Sequence, residues 1–217
     1  MNTLIAMLPP LLAGAATTLK LFFITLLLSL PLGLVLALLR ISSWKWIRSA
    51  VSTYIWLMRG TPLMLQLLFV YFALPFIPVI GIRLPDFPAA LVAFVLNFAA
   101  YFAEIFRAGI LAVDRGQYEA AKTLGLSYMQ TMRRIVLPQM VRHILPPMSN
   151  ETITLVKDTA LIYVLALNDL LRAARNIVQR DFTVTPFIVA GAFYLFMTLI
   201  LTWLFQRLEN HYARQDQ

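Results

Sequence analysis

Residues 21–39 read LFFITLLLSLPLGLVLALL, a run without a charge. With Leu11–Leu19 before it, the stretch is long enough to cross a hydrocarbon core, which takes about 20 mostly apolar residues as a helix. It lacks the strict alternation of a barrel strand, so only a helix can satisfy its backbone groups in lipid. Four more stretches read the same way. The second span is expected over 54–80, uncharged from Gly60 to Ile82 and interrupted by Pro62, Pro75 and Pro78. The third, over 87–106, is uncharged from Phe87 to Ala103. The fourth, over 141–168, is apolar but carries Glu151, Lys157 and Asp158, expected to face inward. The last, over 183–206, is uncharged throughout. The fold class expected is an all-α integral membrane protein of five transmembrane helices, one domain over 1–217.

Composition agrees. Of 217 residues, 60% are hydrophobic and 13% charged, against roughly 45–50% and about 25% in soluble domains. Mean hydropathy is +0.77. A soluble globular enzyme and a disordered chain are both excluded. Cysteine is absent, which removes disulfides, thiolate metal sites and cysteine nucleophiles. His143 and His211 lie too far apart for a histidine metal motif. The net charge of +8 fits basic cytoplasmic loops better than nucleic acid. The N-terminus has no basic region before its apolar run, so the first segment is expected to stay uncleaved.

Basic residues orient the spans. Arg40, Lys45 and Arg48 follow the first span. Arg107, Arg115, Lys122, Arg133, Arg134 and Arg142 follow the third, and Arg207 and Arg214 end the chain. Arg83, Arg172, Arg175 and Arg180 fall on the other side. The N-terminus is therefore expected outside and the C-terminus inside. The segment 168–181 strains this rule with three arginines on the outer side.

The stretch from Asp114 to Pro138 is too polar to span. Glu119, Ala120, Ala121, Lys122 and Leu124 favour helix, Gly125 stops it, and Ser127 with Gln130 three residues on reads as a capping box. Pro138 is expected to close this cytoplasmic helix–turn–helix pair. Small Ala120 and Ala121 would let another protein approach closely.

Glu119-Ala120-Ala121, then Gly125, then Ile135-Val136-Leu137-Pro138, resembles the EAA loop of binding-protein-dependent ABC importer permeases. Arg59-Gly60-Thr61-Pro62 followed by Gln66 is similar to polar amino acid permeases. So are Asn97…Ala100-Tyr101…Glu104…Arg107-Ala108-Gly109 and Lys157-Asp158-Thr159-Ala160-Leu161. The resemblance covers about Leu11 to Glu209. It implies a type I ABC importer permease fold with cytoplasmic coupling helices in the inner membrane. It also implies a second permease subunit (an identical or a related chain), two ATPase subunits and an extracytoplasmic binding protein. ATP and magnesium would sit on the ATPases, since this chain has no GxxxxGK[ST] pattern. Glu119, Ala120, Ala121, Lys122, Leu124 and Gly125 would couple to the ATPase.

Charges inside a span cost about 2.5–3.5 kcal/mol each on insertion scales, so their default reading is functional or paired. Glu151, Thr154 and Asp158 share one helix face, as do Asn97, Tyr101 and Glu104. Two such stripes could line one polar cavity. A carboxylate would take an amino acid's ammonium, and Lys157 or free amides near Thr61 its carboxylate. The substrate-contacting set is then Asn97, Tyr101, Glu151, Thr154, Lys157, Asp158 and Thr61. Other readings stay open. Lys157 and Asp158, about 100° apart on a helix, suit a structural ion-pair network equally well. Glu104 and Arg107 suit a surface pair, Arg59 snorkelling to headgroups, and Asn97 a bond to another helix. A permease for another small polar solute, an ion-coupled carrier and a membrane enzyme using Glu104, Glu151, Asp158 or His143 are the competing functions. Neither of the last two accounts for the EAA loop.

Overall fold

The run at 21–39 lies within α1 (Asn2–Arg40), one uninterrupted helix despite Pro9, Pro10 and Pro31. The computed structural model describes residues 2–77 and 81–213. Pro78 and Arg214, both used above, lie outside them. No strand occurs among the described residues. The helices after α1 are α2 (Lys45–Gly60), α3 (Leu63–Leu68), α4 (Asp86–Ala112), α5 (Arg115–Thr123), α6 (Tyr128–Thr131), α7 (Leu137–Asp158), α8 (Leu170–Asp181) and α9 (Thr185–Ala213). Wide-turn helix extends α3 over Phe69–Ala73 and joins α6 to α7 over Met132–Val136, and a 3₁₀ segment extends α7 from Thr159 to Leu165.

Among the described residues three helices are long and apolar enough to cross a membrane: Ile5–Arg40, Asp86–Ala112 and Thr185–Tyr212. A fourth is counted if Lys45–Gly60 and Leu63–Phe76 form one broken span, bent by 106°. The second span expected over 54–80, interrupted by prolines, is bent at the first of them. The helix begins at Lys45 and breaks at Thr61, whose φ of −119° and ψ of 147° are extended. Pro62 is the cause, since its ring pushes the preceding residue out of the helical region. The stretch expected as the fourth span is α7 with its extension. Its many polar residues, neutral and charged, keep it out of the apolar count, and it packs against α4 and α9.

The core lies where α4 meets α1 and α7. Phe94, Phe98 and Phe102 are fully buried there. Of α4's apolar window 61% is buried, against 6% of α9's, so α4 is the central helix and α9 a peripheral one. Close approach is built on glycine. A Cβ on Gly33 of α1 would lie 2.8 Å from Phe102 Cβ and 3.1 Å from Ala99 O. One on Gly14 would lie 2.7 Å from Asp169 O.

The segment 168–181 is helical rather than a plain outer loop. Asp169, buried, caps α8 by accepting from the N–H groups of Leu171 and Arg172 at 3.0 and 3.1 Å. Leu170, Ala173, Ala174 and Ile177 form its buried stripe. Its three arginines are all engaged. Arg172 donates to Tyr163 O at 3.2 Å, Arg175 lies 5.9 Å from the Tyr163 ring centroid, and Arg180 pairs with Asp181 at 2.6 Å.

Candidate functional site

The broken helix organises the site. Ending α2 at Gly60 leaves its last carbonyls without helical partners. The Gln66 amide fills that need, donating to Met58 O at 2.9 Å, Thr61 O at 3.2 Å and Thr61 Oγ1 at 2.7 Å. Asn97 on α4 donates to Met58 O at 3.1 Å and to Gln66 Oε1 at 2.9 Å. The hydroxyl of Thr61 donates back to Leu57 O at 2.8 Å. The bend is thus held by polar side chains from both sides.

Against it opens a cavity of about 480 Å³. Thr61, Asn97, Tyr101, Glu151, Thr154 and Asp158 line it, so six of the seven residues expected around a solute are brought together. The helical spacing on α4 and α7 does this, with the break on the third side. Lys157 is the correction. It is exposed and does not line the cavity, because one residue's rotation from Asp158 turns it off that face. Asn97 lines the cavity, yet its amide nitrogen is committed to the break.

Glu104, on the Asn97–Tyr101 face, does not line this cavity. It pairs with Arg107 at 2.7 Å, as its spacing suggested, and approaches Arg40 of α1 at 3.5 Å. Two residues gained roles that sequence reasoning missed. Arg59, though exposed, lines the cavity with its guanidinium 5.2 Å from the Tyr101 ring centroid, a contact that its reading as a headgroup anchor did not include. Gln66 stood in the quoted motif without a role. A lone polar residue four positions after Pro62 was the available signal.

The second surface is α5 and the turn after it. Asp114 caps α5, accepting from Gly116 N–H at 2.6 Å. Gly125 adopts φ +73°, and Leu126 N–H donates to Ala121 O at 3.0 Å, which closes the helix in a left-handed turn. The expected capping box forms, Ser127 N–H donating to Gln130 Oε1 at 2.8 Å and Gln130 N–H to Ser127 Oγ at 3.3 Å. Pro138 does not close the unit. It sits at the start of α7, in a run already helical from Tyr128, and the helix runs on. Glu119, Ala120, Lys122, Leu124 and Gly125 are exposed. Ala121 is fully buried, so its small size serves packing within this chain rather than approach by another. Leu124, Tyr128 and Met129 project as an exposed apolar patch.

Comparison with known proteins places this architecture. The chain is 40% identical over 213 residues to the arginine transport system permease protein ArtQ of Bacillus subtilis (strain 168), covering 98% of this chain and 96% of that protein. It is 37% identical over 204 residues to the glutamine transport system permease protein GlnP of Escherichia coli (strain K12), covering 93% and 92%. A crystal structure of an amino acid ABC transporter with histidines superposes with a TM-score of 0.87 at 38% identity, covering 97% of each chain. An inward-facing MetNI methionine ABC transporter shares the fold, with a TM-score of 0.74 at 20% identity over 95% of this chain and 98% of that one. Residues 29–214 match the model of binding-protein-dependent transport system inner membrane components, and the chain belongs to that family.

Proposed function

We propose that this chain is the transmembrane permease subunit of an ATP-driven importer of polar amino acids. The observation that carries the reading is the cavity between the broken helix, α4 and α7, lined by two carboxylates and by Thr61 at the break. Glu151 and Asp158 accept from the solute's ammonium, with Thr154 and Tyr101 beside them. Relatives named for arginine and glutamine transport, each matched over more than nine-tenths of this chain, support an amino acid as the solute. Transport is by alternating access. ATPase subunits close on ATP, α5 and its turn carry the motion, and the helices reopen the cavity on the opposite face. Leu124, Tyr128 and Met129, in the turn after α5 and in α6, suit this hairpin to a groove on the ATPase, with Glu119, Ala120 and Lys122 at its rim. A second permease subunit and an extracytoplasmic binding protein complete the assembly. The N-terminus lies outside and the C-terminus inside.

The test is Glu151→Gln in the assembled transporter, reconstituted in vesicles with labelled amino acids. The change keeps size and hydrogen bonding but removes charge. Uptake should fall by about tenfold or more, the scale of a charged hydrogen bond worth about 1.5–3 kcal/mol. ATPase docking should be retained. Wild-type affinity and rate for every solute would remove Glu151 from the pathway.

A further inference from the structure

We propose that the corner between α1 and α2 is a binding site for one anionic phospholipid, its headgroup phosphate held among Arg40, Lys45 and Arg48 and its glycerol and upper chains lying along Ser52 and Trp56. Arg40 ends α1 and Lys45 begins α2, so the corner lies where the apolar run 21–39 leaves the membrane.

Charge there is one-sided. From Met1 to Pro85 the chain has Lys20, Arg40, Lys45, Arg48, Arg59 and Arg83 but no Asp or Glu. Among the described residues only Glu104 of α4 reaches the corner. Its Oε2 is held by Arg107 at 2.7 Å, and its Oε1 lies 3.5 Å from Arg40 Nε. That Nε is buried yet makes no hydrogen bond among the described residues. Lys45 and Arg48 are exposed, and neither has an ion-pair partner among those residues. One carboxylate thus serves two guanidinium groups, and the next two cations have none. A phosphate supplies the missing negative charge in charge-assisted hydrogen bonds.

The surroundings fit a lipid. Lys45, Arg48, Ser52 and Trp56 succeed one another at helical spacing and share a face of α2. Another face is the packed one: Ile55 is buried with Ala100 and Ala103 of α4, and Val51, Tyr54 and Met58 lie beside it. A cavity of about 560 Å³ opens here, with Arg40, Ser52, Thr53, Trp56 and Glu104 in its wall. From Lys45 to Trp56 the face therefore offers cations, then hydroxyls, then an aromatic ring, the order of groups along a phospholipid from its phosphate inward. Trp44, Trp46 and Trp56 are 70%, 90% and 74% exposed. Tryptophan concentrates at headgroup level, where its apolar ring and its polar N–H both find partners. Basic pockets between helices at a membrane face hold anionic headgroups in the same way. A bound headgroup would tie the end of α1 to the start of α2, the helix whose far end breaks at Thr61.

Tryptophan quenching tests this on the full chain, because Trp44, Trp46 and Trp56 surround the corner and Trp203→Phe, in peripheral α9, removes the remaining tryptophan. The chain is reconstituted in phosphatidylcholine vesicles doped with chain-brominated phosphatidylglycerol, or with phosphatidylcholine brominated alike. Half-maximal quenching should need at least about fivefold less of the brominated phosphatidylglycerol, the preference expected of one near-surface cation. Lys45→Gln combined with Arg48→Gln should bring the two lipids within about twofold of each other. Arg40 stays in place because it also approaches Glu104. Should that variant fail to insert, Arg48→Gln alone is read, and the preference should shrink by at least about twofold. Equal quenching by the two lipids with the site intact, or an undiminished preference in the variant read, overturns the proposal. Absence of quenching by either lipid overturns it too, since protein would then cover the corner. Excess inorganic phosphate should leave the preference intact; its loss would make a soluble anion the occupant and overturn the lipid assignment.

Discussion

Asn97 and Gln66 are joined by a 2.9 Å hydrogen bond that crosses from α4 to the short helix after the break. Both side chains also donate to the carbonyl of Met58, the last-turn oxygen that the bend strands. The bend is therefore part of the polar bonding of the core, and α4 carries it. A movement of α4 relative to α2 would be felt directly at Thr61 in the cavity wall.

Gln66→Leu keeps most of the volume but removes every donor from Met58 O and Thr61 O that Gln66 supplies. Met58 O keeps its bond from Asn97, but Thr61 O and the Asn97 N–H that meets Gln66 lose their partner, and leaving such groups unpaired costs about 1–3 kcal/mol. The purified transporter should melt at a lower temperature, and its KM for solute should rise because Thr61 is no longer held. Unchanged melting and KM would mean the bend stands on Pro62 alone.

Gly33→Ala should destabilise the protein by about 1–3 kcal/mol through overpacking, since its Cβ meets Phe102 and Ala99 of the central helix. Gly191 of α9 has nothing within 4 Å of an added Cβ. Gly191→Ala should be neutral or slightly stabilising, because alanine is the better helix former by about 1 kcal/mol. Thermal unfolding of the two variants side by side checks this, and equal effects would discount the close contact of α1 with α4.

Gly125→Val should disturb the turn after α5 through the backbone alone. No atom lies within 4 Å of an added Cβ, but φ is +73°. A left-handed conformation costs an L-residue roughly 1–2 kcal/mol, least for asparagine. The valine variant should insert normally yet retain less ATPase on purification, or lose solute-stimulated hydrolysis. Gly125→Asn should behave like the wild type. Full coupling in the valine variant would argue against docking at this turn.

Topology can be read with single cysteines, since the chain has none of its own. A cysteine at Lys122 should resist a membrane-impermeant thiol reagent in intact cells and react after lysis. One at Arg83 should react in intact cells. The reverse pattern would invert the orientation proposed here.

Much of the architecture is legible along the chain because hydrophobicity and capping are local properties. Residues 21–39, 87–103 and 183–206 announce helices by their lack of charge, and Ser127 with Gln130 announces a capped turn. Spacing also placed Glu151, Thr154 and Asp158 on one face, because 3.6 residues per turn fixes which residues align.

Which surface each face meets is not local, and only packing decided it. Lys157 and Asp158 are neighbours in sequence, yet α7 turns one into the cavity and the other away. Ala120 and Ala121 look equivalent, yet one is exposed and the other buried. Pro62 predicted irregular backbone, but the 106° bend and its binding to α4 required Asn97 to arrive from 31 residues away. Arg59 looked like a headgroup anchor because composition counts a charge near a span's end. The fold leaves it exposed, yet sets its guanidinium 5.2 Å from the Tyr101 ring on the cavity wall, a contact only packing could reveal.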